Sequence, residues 1–156
     1  MPETIATDTP FTRDEQRTLL ALVGAVIPAS PELDVPGADD AGIAADILAT
    51  ARPYHATVAN ALKHLESKAA ERHDTAYADL DAASRAELAG ELSRSRFAGV
   101  GTLVTITVQC YYRDDRVMQS LGMAPRPPHP DGFDIPQGDW SLLDPVRRRG
   151  KIYKDV

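Results

Sequence analysis

Residues 96–112 read RFAGVGTLVTITVQCYY, and whether they form a strand or a helix sets the fold class. The Val, Thr and Ile content favours a strand. The spacing favours a helix, because Phe97, Val100, Val104, Val108 and Tyr111 recur every three or four residues. A strand of about 15 residues would also be far longer than the usual five or six. The spacing therefore predicts a helix buried on most sides, with Gly99 and Gly101 letting a neighbour approach closely.

Upstream, the same period recurs with start and stop signals around it. Thr12 and Glu15 form a T-x-x-E capping box ahead of Leu19, Leu22, Val23, Val26 and Ile27, and Pro28 ends that helix. After a loop with Pro31, Pro36 and Gly37, Asp39 or Asp40 caps a shorter helix carrying Ile43, Ile47 and Leu48. Pro53 is placed as the first residue of a third helix with Tyr54, Val58, Ala61, Leu62 and Leu65 on its stripe. That helix is expected to fray into ESKAAERHD. Asp81 or Ser84 then caps a fourth helix through Leu88 and Leu92.

Downstream lies CYYRDDRVMQSLGMAPRPPHP, residues 110–130. Asp114 or Asp115 caps a short helix through Val117, Met118 and Leu121, and Gly122 stands where a left-handed C-cap belongs. Pro125, Pro127, Pro128 and Pro130 then fix φ, remove four N–H donors and push the preceding residues toward polyproline II. Arg126 and His129 stand on this stiff, extended rod. Such a rod suits docking onto a groove, and it equally suits a rigid loop over the chain's own core. Residues 123–156 hold six of the twelve prolines and the only tryptophan. Met123, Phe133, Ile135, Trp140, Leu142, Leu143, Val146, Ile152 and Tyr153 follow at irregular intervals, as in a strap whose apolar residues drop into successive pockets. Asp144-Pro145 starts one more helical turn, closed by Gly150. The reading is an all-α bundle of about five helices with a long proline-rich C-terminal strap. Residues 1–11 form a flexible N-terminus, 12–122 the helical domain and 123–156 the extended arm.

Composition narrows the function. The 156 residues suffice for one domain with a real core, and 43% apolar with 26% charged is close to the globular average. A net charge of −6 argues against nucleic acid and anionic membrane surfaces. No apolar run approaches the ~20 residues of a membrane span. The N-terminal MPETIATDTPF lacks a basic region followed by an apolar one and lacks a twin arginine. A cytoplasmic location is expected for the chain as written, and a periplasmic one if a leader was removed. The single cysteine, Cys110, excludes an internal disulfide and is expected to be a buried helical thiol.

Catalytic motifs are sparse. His55, His64 and His73 are nine residues apart, or 2.5 turns, so neighbours in the set point to opposite sides of a helix and are expected to face solvent. There is no H-E-x-x-H, G-x-G-x-x-G, P-loop or G-x-S-x-G pattern, so no catalytic, cofactor-binding or metal residues are assigned. Asp114-Asp115 reads as a cap plus a partner for Arg113 or Arg116. Of 17 Lys/Arg and 23 Asp/Glu, eight and seven lie from residue 113 onward, leaving nine and sixteen before it. The body is therefore acidic and the tail is not. Arginines and large aromatics in and around the tail are the residue types that anchor interfaces. The candidate partner-contact set is Tyr111, Tyr112, Arg116, Arg126, Pro127, Pro128, His129, Phe133, Trp140, Leu142, Leu143 and Arg147. Internal Arg–Asp pairing that pins the tail to its own domain is the alternative, and both can hold.

Three stretches carry a family resemblance: VGAVIPASPELDVPGADDAGIAADI at 23–47, CYYRDDRVMQSLGMAPRPPHPDGF at 110–133 and DWSLLDPVRRRGKIY at 139–153. Together they resemble the gluconate 2-dehydrogenase subunit 3 family, over roughly residues 12 to 153. The resemblance implies a non-catalytic small (gamma) subunit. Its partner would be a large flavoprotein of the glucose–methanol–choline (GMC) oxidoreductase type, which carries the FAD and oxidises a sugar, glycoside or polyol. No cofactor is expected on this chain. Members often bring a twin-arginine leader; its absence here leaves stabilisation of the large subunit as the expected role. A self-contained helical enzyme or ligand-binding protein, with a pocket between helices, is the competing reading.

Overall fold

Helix α1 (Arg13–Val26) starts where its sequence says it must: the Thr12 hydroxyl accepts from the Glu15 N–H at 3.2 Å and the Glu15 carboxylate accepts from the Thr12 N–H at 2.7 Å. This is a computed structural model, and it describes residues 9–95, 97, 99–127, 129–130, 132 and 136–152. A 3-10 turn at Pro31–Leu33 leads to α2 (Ala41–Ala51), which Asp40 caps through the Gly42 N–H. A second 3-10 turn, Arg52–Tyr54, holds Pro53 and runs into α3 (His55–His73). After a 3-10 turn at Tyr77–Asp79 come α4 (Ala82–Arg94, capped by Asp81), α5 (Val100–Tyr111) and α6 (Asp115–Ser120, capped by Asp114). The fold is all-α, and among the described residues no strand forms.

The chain divides into two compact units, residues 1–125 and 126–156. In the first, α1 packs on α3 and α4, α2 packs on α5, and α3 meets both α4 and α5. One continuous apolar cluster results, with Leu19, Ile47, Val58, Leu62 and Leu65 almost wholly out of water. The polar groups it encloses are satisfied locally: Gln16 donates to the Phe11 carbonyl at 2.9 Å and Thr107 to the Leu103 carbonyl at 2.8 Å. Tyr77 is fully buried and donates to the Arg85 carbonyl at 3.0 Å, and burial pushes its hydroxyl up to about 12.

Several expectations need correction. Helix α3 does not fray after Leu65. It continues to His73 because Ala69 extends the buried stripe, and Arg72 forms two 2.7 Å hydrogen bonds to Glu91 of α4. Asp74 ends it in the left-handed region, at φ 53°. Helix α5 begins at Val100 and buries one face only, made by Val100, Leu103, Ile106, Thr107, Cys110 and Tyr111. Its Val108 stays on the surface, while α2, with α1, α3 and α4, packs against the rest of the helix. The two glycines also part company. A Cβ at Gly99, where φ is +93°, would overlap the Thr57 carbonyl oxygen, whereas one at Gly101 would meet nothing within 4 Å. Two of the three histidines are half-buried rather than solvent-facing. His55 sits edge-on to Phe11 with ring centroids 4.7 Å apart, and His64 stacks on Phe97 at 4.4 Å.

The second unit holds a 3-10 turn, Trp140–Leu143, capped by Asp139, and a short helix α7 (Asp144–Arg148). Hydrogen bonds from Ser141 hold the Asp139 carboxyl below the usual carboxylate range. Gly150 follows α7 at φ 76°. None of this unit's described residues is buried.

Candidate functional site

The α1–α2 loop is braced by its own hydrogen bonds and by side chains from α5 and α6. Its own backbone closes first: Ser30 and Val35 exchange both N–H···O bonds at 3.1 and 3.2 Å, and the Ala38 N–H reaches the Ile27 carbonyl at 2.9 Å. Tyr111, buried at the end of α5, donates its hydroxyl to the Pro36 carbonyl at 3.1 Å. At the loop's end, Arg116 of α6 forms a fork with Asp40, at 2.7 and 3.2 Å, and its Nε and Nη2 also reach Asp114 at 3.0 Å. The two carboxylates hold the guanidinium pKa far up, and Arg116 in turn holds both carboxyls below the usual range. Nearly two turns along α2, Arg113 grips Asp46 at 2.7 and 2.5 Å and Thr50 at 3.1 Å.

Helix α6 supplies the opposite wall. It closes in a Schellman motif: Met123 N–H to the Met118 carbonyl and Gly122 N–H to the Gln119 carbonyl, both 2.9 Å, with Gly122 at φ 72°. Between loop and helix runs an open groove of about 590 Å³, lined on one side by Leu33, Asp34 and Val35 and on the other by Arg116, Gln119 and Ser120. Leu33, at the loop tip, is 69% exposed, and Leu121 and Met123 beyond α6 are also exposed. A rigid loop holding an aliphatic side chain in water beside an unfilled groove is the geometry of a docking surface.

The sequence-expected contact residues fall into two places. Tyr111, Tyr112 and Arg116 belong to the first unit. Tyr111 is core, Tyr112 is half-exposed and edge-on to Tyr111 with ring centroids 5.2 Å apart, and Arg116 is the clasp just described. Arg126, Pro127, His129, Trp140, Leu142, Leu143 and Arg147 belong to the second unit, where all are exposed. There Arg126 donates to the Gly132 carbonyl at 2.6 Å and Arg147 pairs with Asp144 at 3.3 Å. Pro128 and Phe133 lie outside the described residues. Sequence reasoning passed over Leu33, Val35, Gln119 and Ser120. The available signal was an apolar residue stranded between Pro31 and Pro36 in a loop with no helical period to absorb it.

Cys110 is buried, with its Sγ 3.6 Å from the Thr50 hydroxyl, and burial pushes its thiol up. Among the described residues no three His, Cys, Asp or Glu gather as a metal site, and no helix is long and apolar enough to cross a membrane.

A family model described as gluconate 2-dehydrogenase subunit 3 matches residues 13–124. The chain belongs to the gluconate 2-dehydrogenase subunit 3 family. The match begins at the first residue of α1 and ends just past the Schellman motif, so the groove, the Tyr111 contact and both arginine clasps lie inside what defines the family. Searches of curated proteins and of solved structures returned no match.

Proposed function

We propose that this chain is the non-catalytic small subunit of a dehydrogenase complex. It binds and stabilises a large FAD-dependent oxidoreductase of the GMC type acting on a sugar, glycoside or polyol. The observation that carries this reading is the family match across the whole helical body, since that family is named as one subunit of a multi-subunit dehydrogenase. The FAD and the reacting groups belong to the large subunit; this chain contributes surface. The geometry adds support from the other direction. Arg17, Arg72, Arg113 and Arg116 of the first unit pair internally with carboxylates, and the exposed apolar side chains Leu33, Tyr112, Leu121 and Met123 are left without a core. Trp140, Leu142, Val146 and Ile152 of the second unit add further uncovered apolar area. A surface of that kind is stabilised when a partner covers it.

The test is co-expression of the tagged chain with the large flavoprotein subunit encoded beside it. The reading expects a yellow complex of fixed stoichiometry, and a large subunit that precipitates or loses flavin when expressed alone. A tagged chain that elutes alone and monodisperse, beside a large subunit that is soluble and active by itself, refutes it.

A further inference from the structure

The charge around the groove is specific enough to describe its occupant. Residues 18–51 contain five carboxylates and no lysine or arginine. Two of the five are neutralised from across the fold: Asp40 by Arg116 and Asp46 by Arg113. Asp39 lies beside Gly24 and Gly37, outside the lining of the groove. Glu32 and Asp34 flank Leu33 at the tip, both exposed, and neither has a cationic partner among the described residues. Asp34 itself lines the groove. The one guanidinium on the wall, Arg116, is already held by two carboxylates and has little attraction left for an anion. The groove therefore has apolar walls in Leu33 and Val35, hydrogen-bonding groups in Gln119 and Ser120, and an uncompensated negative rim.

The geometry points to this groove as the slot for an extended segment of the large subunit that carries an aliphatic or aromatic side chain beside a lysine or arginine. The inference rests on the accessory-subunit reading above and locates that contact on the body. The apolar side chain lies against Leu33 and Val35. The cation sits between Glu32 and Asp34, where pairing on binding relieves two like charges two residues apart. The segment's main chain finds Gln119 and Ser120 within reach. Because the loop is already fixed by its own hydrogen bonds and by Tyr111, little ordering cost falls on this side of the interface.

The experiment uses the full chain with the co-expressed large subunit, and measures affinity at low and high salt for the wild type, Leu33→Asp, the double variant E32K/D34K, and Lys68→Glu on the surface of α3 as a control. All the substituted side chains are exposed or half-exposed, so the melting temperature reports whether each variant stays folded. The expected result is a loss of at least about 10-fold for Leu33→Asp. A similar loss is expected for E32K/D34K, whose residual binding no longer weakens with salt, and no change for Lys68→Glu. If the wild type forms the complex and both groove variants bind as tightly, the groove assignment is overturned while the accessory reading stands. If the wild type forms no complex, both fall. If light scattering shows a wild-type dimer that Leu33→Asp dissociates, the occupant is a second copy of this chain and the assignment is overturned.

Discussion

Two glycines two residues apart should respond to alanine with opposite signs. Gly99 precedes α5 at φ +93°, and a Cβ there would overlap the Thr57 carbonyl oxygen and lie 3.1 Å from the Thr57 methyl. The left-handed backbone costs an alanine about 1–2 kcal/mol. Relieving the overlap requires α5 or α3 to shift, because the obstacle is backbone, and overpacking of that kind costs about 1–3 kcal/mol. A loss of about 3 kcal/mol is expected for Gly99→Ala, or roughly 10 °C in melting temperature for a domain of this size. Gly101 sits in the first turn of α5 with open space around it. Alanine there gains helix propensity and should stabilise by about 0.5 kcal/mol. Urea unfolding followed by circular dichroism reads both. A Gly99→Ala variant within about 1 kcal/mol of wild type would refute the close approach of α5 to α3, and a Gly101→Ala variant that loses stability would refute the open space at Gly101.

Three further outcomes follow from the same contacts. Asp40 and Asp114 have lowered pKa values in the folded state, chiefly through Arg116, so their contribution is present above the ordinary aspartate pKa of about 3.9 and is lost as pH falls through the lowered values. Melting temperature should drop with acidification below about pH 4, and Arg116→Ala should flatten that drop; an equally steep drop in the variant would separate the acid sensitivity from the clasp. Cys110 should resist thiol reagents in the native protein and react at the unfolding rate, since its thiol is buried and its pKa raised; immediate native reaction would contradict its burial. Truncation after Pro125 should leave the unfolding free energy of the body unchanged within about 1 kcal/mol, because every residue of the apolar cluster lies between Phe11 and Val117. If the second unit also contacts the partner, the truncated chain should lose affinity for the large subunit in co-purification.

What could be read from the sequence was what acts over three or four residues. The Thr12–Glu15 box, the Asp114 cap and the Gly122 stop are each closed within a single turn, so residue types in order suffice to state them. The all-α class followed from period alone, even through a segment whose β-branched residues argued the other way. The clasps were not legible, because Arg113 meets Asp46 across 67 residues and Arg116 meets Asp40 across 76. The sequence shows acids and arginines in excess but not which pairs the fold brings together. The end of α3 is hidden for the same reason: ESKAAERHD looks like solvated charge until Arg72 finds Glu91 on α4. Nothing local announces Phe97 as the ring on which His64 stacks. The groove lay further out of reach, since it exists only where a loop near residue 33 and a helix near residue 119 face each other.

That long-range assembly separates residues that shape the docking surface from residues that touch its occupant, and Tyr111 tests the distinction. Its hydroxyl braces the loop from behind through Pro36 while its ring is core. Tyr111→Phe keeps the ring and removes one hydrogen bond, leaving a part-buried carbonyl with one fewer donor, a loss of about 1 kcal/mol. If the loop opens as a unit, that loss should appear as roughly 5-fold faster hydrogen exchange at Ser30, Val35 and Ala38, the amides that close it, with α3 and α4 unaffected. Affinity for the large subunit should stay close to that of the wild type, because a loop that is closed most of the time remains binding-competent after a loss of about 1 kcal/mol. Its salt dependence should stay that of the wild type, since Glu32 and Asp34 are untouched. Leu33→Asp should show the reverse pattern, with loop exchange unchanged and affinity lost through the contact itself. Equal exchange at all three amides in Tyr111→Phe, together with lost affinity, would place Tyr111 in direct contact with the partner and undo the separation.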